Sequence, residues 1–149
     1  MITKISQSIY VYKAKCLWVK DGDTVEAELD LGFKVKWTTP IRFHGIDTYE
    51  IHGVTAHPTG SVAKKFLEDM FAKFGDVFYF KSERDEIAIY NRAAGSLWLE
   101  TKQGGKRAFV DVVATMKANG FLKDGSVPLN AGDPIYIYRI ANDIMDVFV

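Results

Sequence analysis

The chain reads as a mainly β protein of the α+β class: a small, highly curved antiparallel barrel of about five short strands with one inserted helix. Three observations carry this reading. Apolar and polar residues alternate strictly from Thr24 to Leu31. Short runs rich in Val, Ile, Tyr and Trp recur between turns built from Gly, Asp and Asn. A helical period over several turns appears between Ser61 and Phe74.

Met1 to Gln7 reads as a loose arm, and Ile9 to Lys20 as the first strand. Asp21-Gly22-Asp23 turns the chain, since Asp and Gly accept tight backbone geometry. In the next strand Val25, Ala27, Leu29 and Leu31 share the buried face, with Glu26, Glu28 and Asp30 opposite. Gly32 makes a turn, Lys34 to Trp37 alternates again, Pro40 marks a bulge or edge position, and Ile41 to Asp47 completes the third strand. Thr48 to Thr59 has no period and reads as a loop. Val62, Phe66, Met70 and Phe74 fall four apart with Ala63, Leu67 and Phe71 beside them, which predicts an amphipathic helix from Ser61 to Phe74 ended by Gly75. Val77 to Lys81, Glu86 to Tyr90 and Ser96 to Glu100 read as strands, and Gln103-Gly104-Gly105 as a hairpin turn. Asp111 is placed to cap a short second helix, Val112 to Asn119, closed by Gly120. Beyond Phe121 the only regular signal is a strand at Ile135 to Ile140.

The 149 residues suit one domain, 1–149, with a core large enough to need no staples. Nineteen Lys plus Arg balance nineteen Asp plus Glu, so no global field draws a polyanion or an anionic membrane. An anionic ligand must be drawn by a local patch. The lone Cys16 lies in an apolar run and reads as a buried small hydrophobe. Without disulfides, an export signal or an apolar stretch of spanning length, the expected location is cytoplasmic, or secreted if a leader has been removed, with no membrane partner.

The chemistry-bearing residues cluster at two ends of the predicted ribbon: Asp21 and Asp23 at one, Arg42, Asp47 and Glu50 at the other. Antiparallel strands bring such ends together. Carboxylates gathered without a partner repel one another, so convergence implies a cation. Carboxylates with a backbone carbonyl and water form a hard oxygen site suited to Ca²⁺ or Mg²⁺. Arg42 and Arg92 can grip phosphate oxygens with their forked donors. A cation, a spare carboxylate and two guanidiniums are the parts needed to cleave a phosphodiester. Singly, each has a plainer reading: Asp-Gly-Asp is a common turn, Asp47 to Glu50 a solvated strand end, and the arginines surface ion-pair partners.

The combination is more specific. Asp21-Gly22-Asp23-Thr24-Val25, then Arg42 with Gly45-Ile46-Asp47-Thr48-x-Glu50, then Gly60-x-x-Ala63-x-x-Phe66-Leu67, then Tyr90-x-Arg92, resembles the thermonuclease (staphylococcal nuclease) family over Val11 to Leu122. The resemblance implies a five-stranded OB-fold Greek-key barrel with an inserted helix, a short second helix and here a divergent C-terminal tail. It implies Ca²⁺-dependent hydrolysis of DNA and RNA on the 5′-oxygen side, leaving 3′-phosphate ends. Residue by residue, it makes Asp23, Asp47 and the Thr48 carbonyl the metal ligands. Glu50 becomes general base or orienter of water, Arg42 and Arg92 the phosphate clamps, and Tyr90 a neighbour of the nucleotide; Asp21 shapes the turn.

The chain departs from the family at Tyr49, where proline is usual, at Ile89, where lysine is usual, and near Ser126, where tyrosines are usual. Stacking on bases would then fall to Tyr136 or Tyr138. The competing reading is a non-catalytic OB module that binds nucleic acid or protein. The expected state is a monomer, with dimerisation through the strand at Ile135 to Ile140 as the alternative.

Overall fold

A computed structural model describes residues 10–53, 58–82, 93–121 and 138–139. Its element order is β1 (Val11–Asp21), β2 (Thr24–Asp30), β3 (Lys36–Phe43), α1 (Pro58–Phe74), β4 (Val77–Ser82), β5 (Ala93–Gln103), β6 (Lys106–Asp111), α2 (Val112–Ala118) and β7 (Tyr138–Arg139). The strands β1 to β5 close on themselves. β1 pairs with both β2 and β4, β2 with β3, β4 with β5, and β3 with β5. All these pairings are antiparallel except β3–β5, which is parallel. The result is a closed five-stranded mixed barrel of OB type with two helices. The expected all-antiparallel barrel is corrected at this closing seam.

Alternation explains which residues fill the barrel. Val25 and Ala27 are fully buried and Leu29 nearly so, while Glu26, Glu28 and Asp30 point outward. Leu31 continues the apolar pattern but not the burial. β2 stops at Asp30, and Leu31, Phe33 and Val35 lie in the turn beyond it, all exposed, as is Trp37 opposite Leu29 in β3. The turn here runs to Lys34: Phe33 and Lys34 adopt φ of 54° and 64°, and the Val35 N–H donates to Gly32 O at 2.9 Å. Asn-Gly suits that left-handed pair; Phe-Lys does not, which is why the sequence there reads as strand. Pro40 lies inside β3 opposite Glu26, one residue before β5 joins at Ile41, so it occupies an edge position as expected.

α1 begins at Pro58, three residues earlier than its apolar period suggests, because proline at the start of a helix loses no hydrogen bond. Its apolar stripe (Ala63, Phe66, Leu67, Met70, Phe71) is buried in the main core with Val25, Ile41, Phe43, Phe78 and Leu97. Cys16 is buried in the same core, and its thiol is pushed up to about 12 by burial and by the nearby Asp76 carboxylate. That is an inert thiol, as the apolar run predicts.

The glycine turn holds: Gly104 and Gly105 have φ of 58° and 78°, joining β5 to β6. β6 itself goes unread in the sequence, where Lys106 and Arg107 look like a solvated turn. In the fold Arg107 pairs with Glu100, donates to the Tyr79 hydroxyl at 3.0 Å and lies over the rings of Tyr79 and Phe109. The second helix starts as predicted, with the Asp111 carboxylate accepting from the Ala114 N–H at 3.0 Å. Tyr138–Arg139 pairs with β6 of its own chain, at Phe109 and Val110. The remaining expectations for the tail, and the strand at Glu86 to Tyr90, lie outside the described residues. No helix among the described residues is long and apolar enough to cross a membrane.

Candidate cation and phosphate site

The site sits at one rim of the barrel, where β1 ends, β2 begins and β3 ends. Thr24 pairs with Asp21 on one side and with Arg42 on the other. Register therefore brings residues about twenty positions apart into one patch. The Phe43 N–H donates to Asp23 O at 2.8 Å, and the His44 N–H to Gly95 O at 2.9 Å. These bonds tie the exit of β3 to the β1–β2 turn and to β5. The loop after β3 then returns Asp47 and Thr48 to the same rim.

Asp23 is the hub. Its residue exposure is 6%, although it carries a carboxylate. Oδ1 accepts the Thr24 hydroxyl at 3.0 Å, and Oδ2 accepts the Thr48 N–H at 3.0 Å. Oδ2 also meets Arg42 Nη1 at 2.9 Å. Arg42 Nη2 donates to Asp47 Oδ1 at 3.1 Å, and Nη1 to Ile46 O at 2.9 Å. One guanidinium is thus shared by the two carboxylates expected to hold metal. Burial, and then the Asp21 carboxylate beside it, push the Asp23 carboxyl up to about 6; the Thr48 N–H and Arg42 pull the other way without winning. Asp21 shapes the turn, accepting the Asp23 N–H on Oδ1 at 3.1 Å. This matches its expected part.

Close packing positions the loop that carries the rest. A Cβ added at Gly22 would lie 2.7 Å from Ala63 Cβ and 2.9 Å from Thr48 Oγ1. One added at Gly60 would lie 2.6 Å from Tyr49 O and 2.7 Å from Glu50 O. The Gly-x-x-Ala spacing at the start of α1 therefore has a physical reason: it lets the helix seat directly on the backbone that presents Glu50. We expect Gly60→Ala to push that backbone outward by several tenths of an ångström. Overpacking against a backbone that cannot easily yield should lower stability by about 1–3 kcal/mol. Thermal melts of the variant beside wild type would check this, and an unchanged midpoint would refute the close seating of helix on loop.

The donor types fit a hard divalent cation: two carboxylates and a peptide carbonyl, with no sulfur. Two observations agree. The two carboxylates are already arranged about one shared positive charge, that of Arg42. Thr48 Oγ1 is buried without a hydrogen-bond partner among the described residues, so the site's polar groups are not fully satisfied. Among the described residues no three His, Cys, Asp or Glu side chains gather closely enough to hold an ion. Asp23 and Asp47 come together with Arg42 and Thr48, while Glu50 is half-buried on the adjoining loop. Tyr90 and Arg92 lie outside the described residues. Sequence reasoning passed over the Thr24 hydroxyl and Gly60, both visible only as members of their motifs.

No protein-family model matches this chain, and no curated protein matches it.

Proposed function

We propose that this chain is a Ca²⁺-dependent nuclease that hydrolyses phosphodiester bonds of DNA and RNA and leaves 3′-phosphate ends. The observation that carries the reading is the convergence of Asp23, Asp47, Thr48 and Arg42, drawn from two separate motifs, at one rim of an OB-type barrel. The resemblance of those motifs to the thermonuclease family supplies the chemistry.

In this reading Asp23, Asp47 and the Thr48 carbonyl hold the cation. The bound cation polarises a phosphoryl oxygen and offsets charge that builds in the transition state. Arg42 and Arg92 grip the same phosphate, where forked, charged donors bind best. Glu50 orients or deprotonates the attacking water. Gly60 and Gly22 fix the loop from which Thr48 and Glu50 act. Tyr90 borders the nucleotide.

The test is direct. Plasmid DNA and a structured RNA should both be degraded with millimolar Ca²⁺ and spared with chelator, with 3′-phosphate on the products. Binding without cleavage under every divalent cation would replace this reading with the non-catalytic OB module.

A further inference from the structure

We infer that Arg42 holds a cation's place between Asp23 and Asp47, so that guanidinium and divalent ion exclude one another there and Arg42 reaches a phosphate only as it leaves the carboxylates. This rests on the nuclease reading above, and it assigns Arg42 a second part as the residue that couples cation loading to phosphate binding.

The geometry supplies the reasons. Nη1 carries two hydrogens, and two acceptors stand at 2.9 Å from it, Asp23 Oδ2 and Ile46 O. Nη2 spends a hydrogen on Asp47 Oδ1 at 3.1 Å. An end-on grip on phosphate needs a hydrogen from each terminal nitrogen. Nη1 has none to give in this arrangement. The end-on face of the guanidinium is thus taken up by the two carboxylates that are to hold the ion and by the Ile46 carbonyl. A cation placed between the same carboxylates would sit against a like charge; on the buried Asp23 side that repulsion is weakly screened, although Asp47 is exposed. Arg42 must therefore turn away as the ion enters. The Ile46 carbonyl belongs to the loop rather than to the carboxylate pair, so it can serve as the pivot. Reciprocity follows: whatever draws Arg42 toward a phosphate also strengthens cation binding.

Calorimetric titration with Ca²⁺ alone, without nucleic acid, tests this on the wild type, Arg42→Met and Arg42→Lys. Removing the competitor should tighten Ca²⁺ binding by about tenfold or more in Arg42→Met. Arg42→Lys should also tighten it, by roughly threefold, because a point charge cannot bridge both carboxylates as the fork does. Affinity unchanged or weakened in both variants overturns the inference. So does tightening in Arg42→Met with Arg42→Lys equal to wild type, which would show a diffuse charge effect instead. Should the variants fail to fold, the wild type still decides: the Arg42 Nε–H resonance must shift as Ca²⁺ saturates, and a fixed resonance overturns the competition. A wild type that binds no Ca²⁺ at millimolar concentration sinks both this inference and the nuclease reading, whereas wild-type binding with unaltered variants sinks only the former.

Discussion

Asp23→Asn should raise the thermal stability of the cation-free protein at pH 7.5 while abolishing Ca²⁺ binding and cleavage. The Asp23 carboxyl is raised from 3.8 to about 6 in the fold, chiefly by burial. A carboxyl with a raised folded value binds its proton more tightly folded than unfolded. Its favourable contribution is therefore complete below pH 3.8 and disappears as pH rises through about 6. The shift corresponds to about 3 kcal/mol across that window, as an order of magnitude. The amide carries no charge to desolvate and keeps an acceptor for the Thr48 N–H. The gap between variant and wild type should open from near zero at pH 4 to about 2 kcal/mol at pH 7.5, a few degrees in midpoint for a chain of this size. Thermal melts in chelator across that range would check it. A variant less stable than wild type at pH 7.5 would show that the Asp23–Arg42 attraction outweighs burial. Ca²⁺ should raise the wild-type midpoint and leave the variant's unmoved, since a ligand stabilises only the state that binds it.

The same residue shows what was legible in the sequence and what was not. The turn at Asp21–Asp23, the alternation of β2, the apolar stripe of α1, the Gly104-Gly105 hairpin and the Asp111 cap all rest on interactions a few residues long. Local periodicity records these directly. The parallel seam between β3 and β5 joins Ile41 to Ala93, and nothing local marks such a pairing. β6 was hidden because Arg107 reads as a solvated charge. Its neutralisation by Glu100 and its stacking on Phe109 exist only after β5 and β6 pair. Lys34 misled in the opposite direction, its left-handed backbone being one that side-chain chemistry disfavours. At the site, the clustering of charges at the two ends of the ribbon grouped Asp23, Asp47 and Arg42, and the family resemblance added Thr48. That resemblance made Arg42 a phosphate clamp apart from the metal ligands, whereas the fold has its guanidinium between the two carboxylates. Residue types specify which charges converge; which charge sits in the middle depends on backbone register.

Glu50→Gln should cut turnover by about a thousandfold while leaving Ca²⁺ affinity and the melting curve close to wild type, because proton transfer in the transition state is commonly worth 10² to 10⁴. The side chain is half-buried on the loop seated against Gly60, so an isosteric amide keeps its packing. It keeps much of its hydrogen-bond capacity, and loses its charge and the ability to take a proton. This separates the two parts assigned to Glu50. If the carboxylate merely orients water, Gln retains most of the rate. If it is the base, the rate falls. Ca²⁺ titration of the same variant supplies the control: Asp23 and Asp47, not Glu50, share the central charge. A large loss of Ca²⁺ affinity in Glu50→Gln would therefore move Glu50 from the water to the ion, and with it the division of labour proposed for this rim.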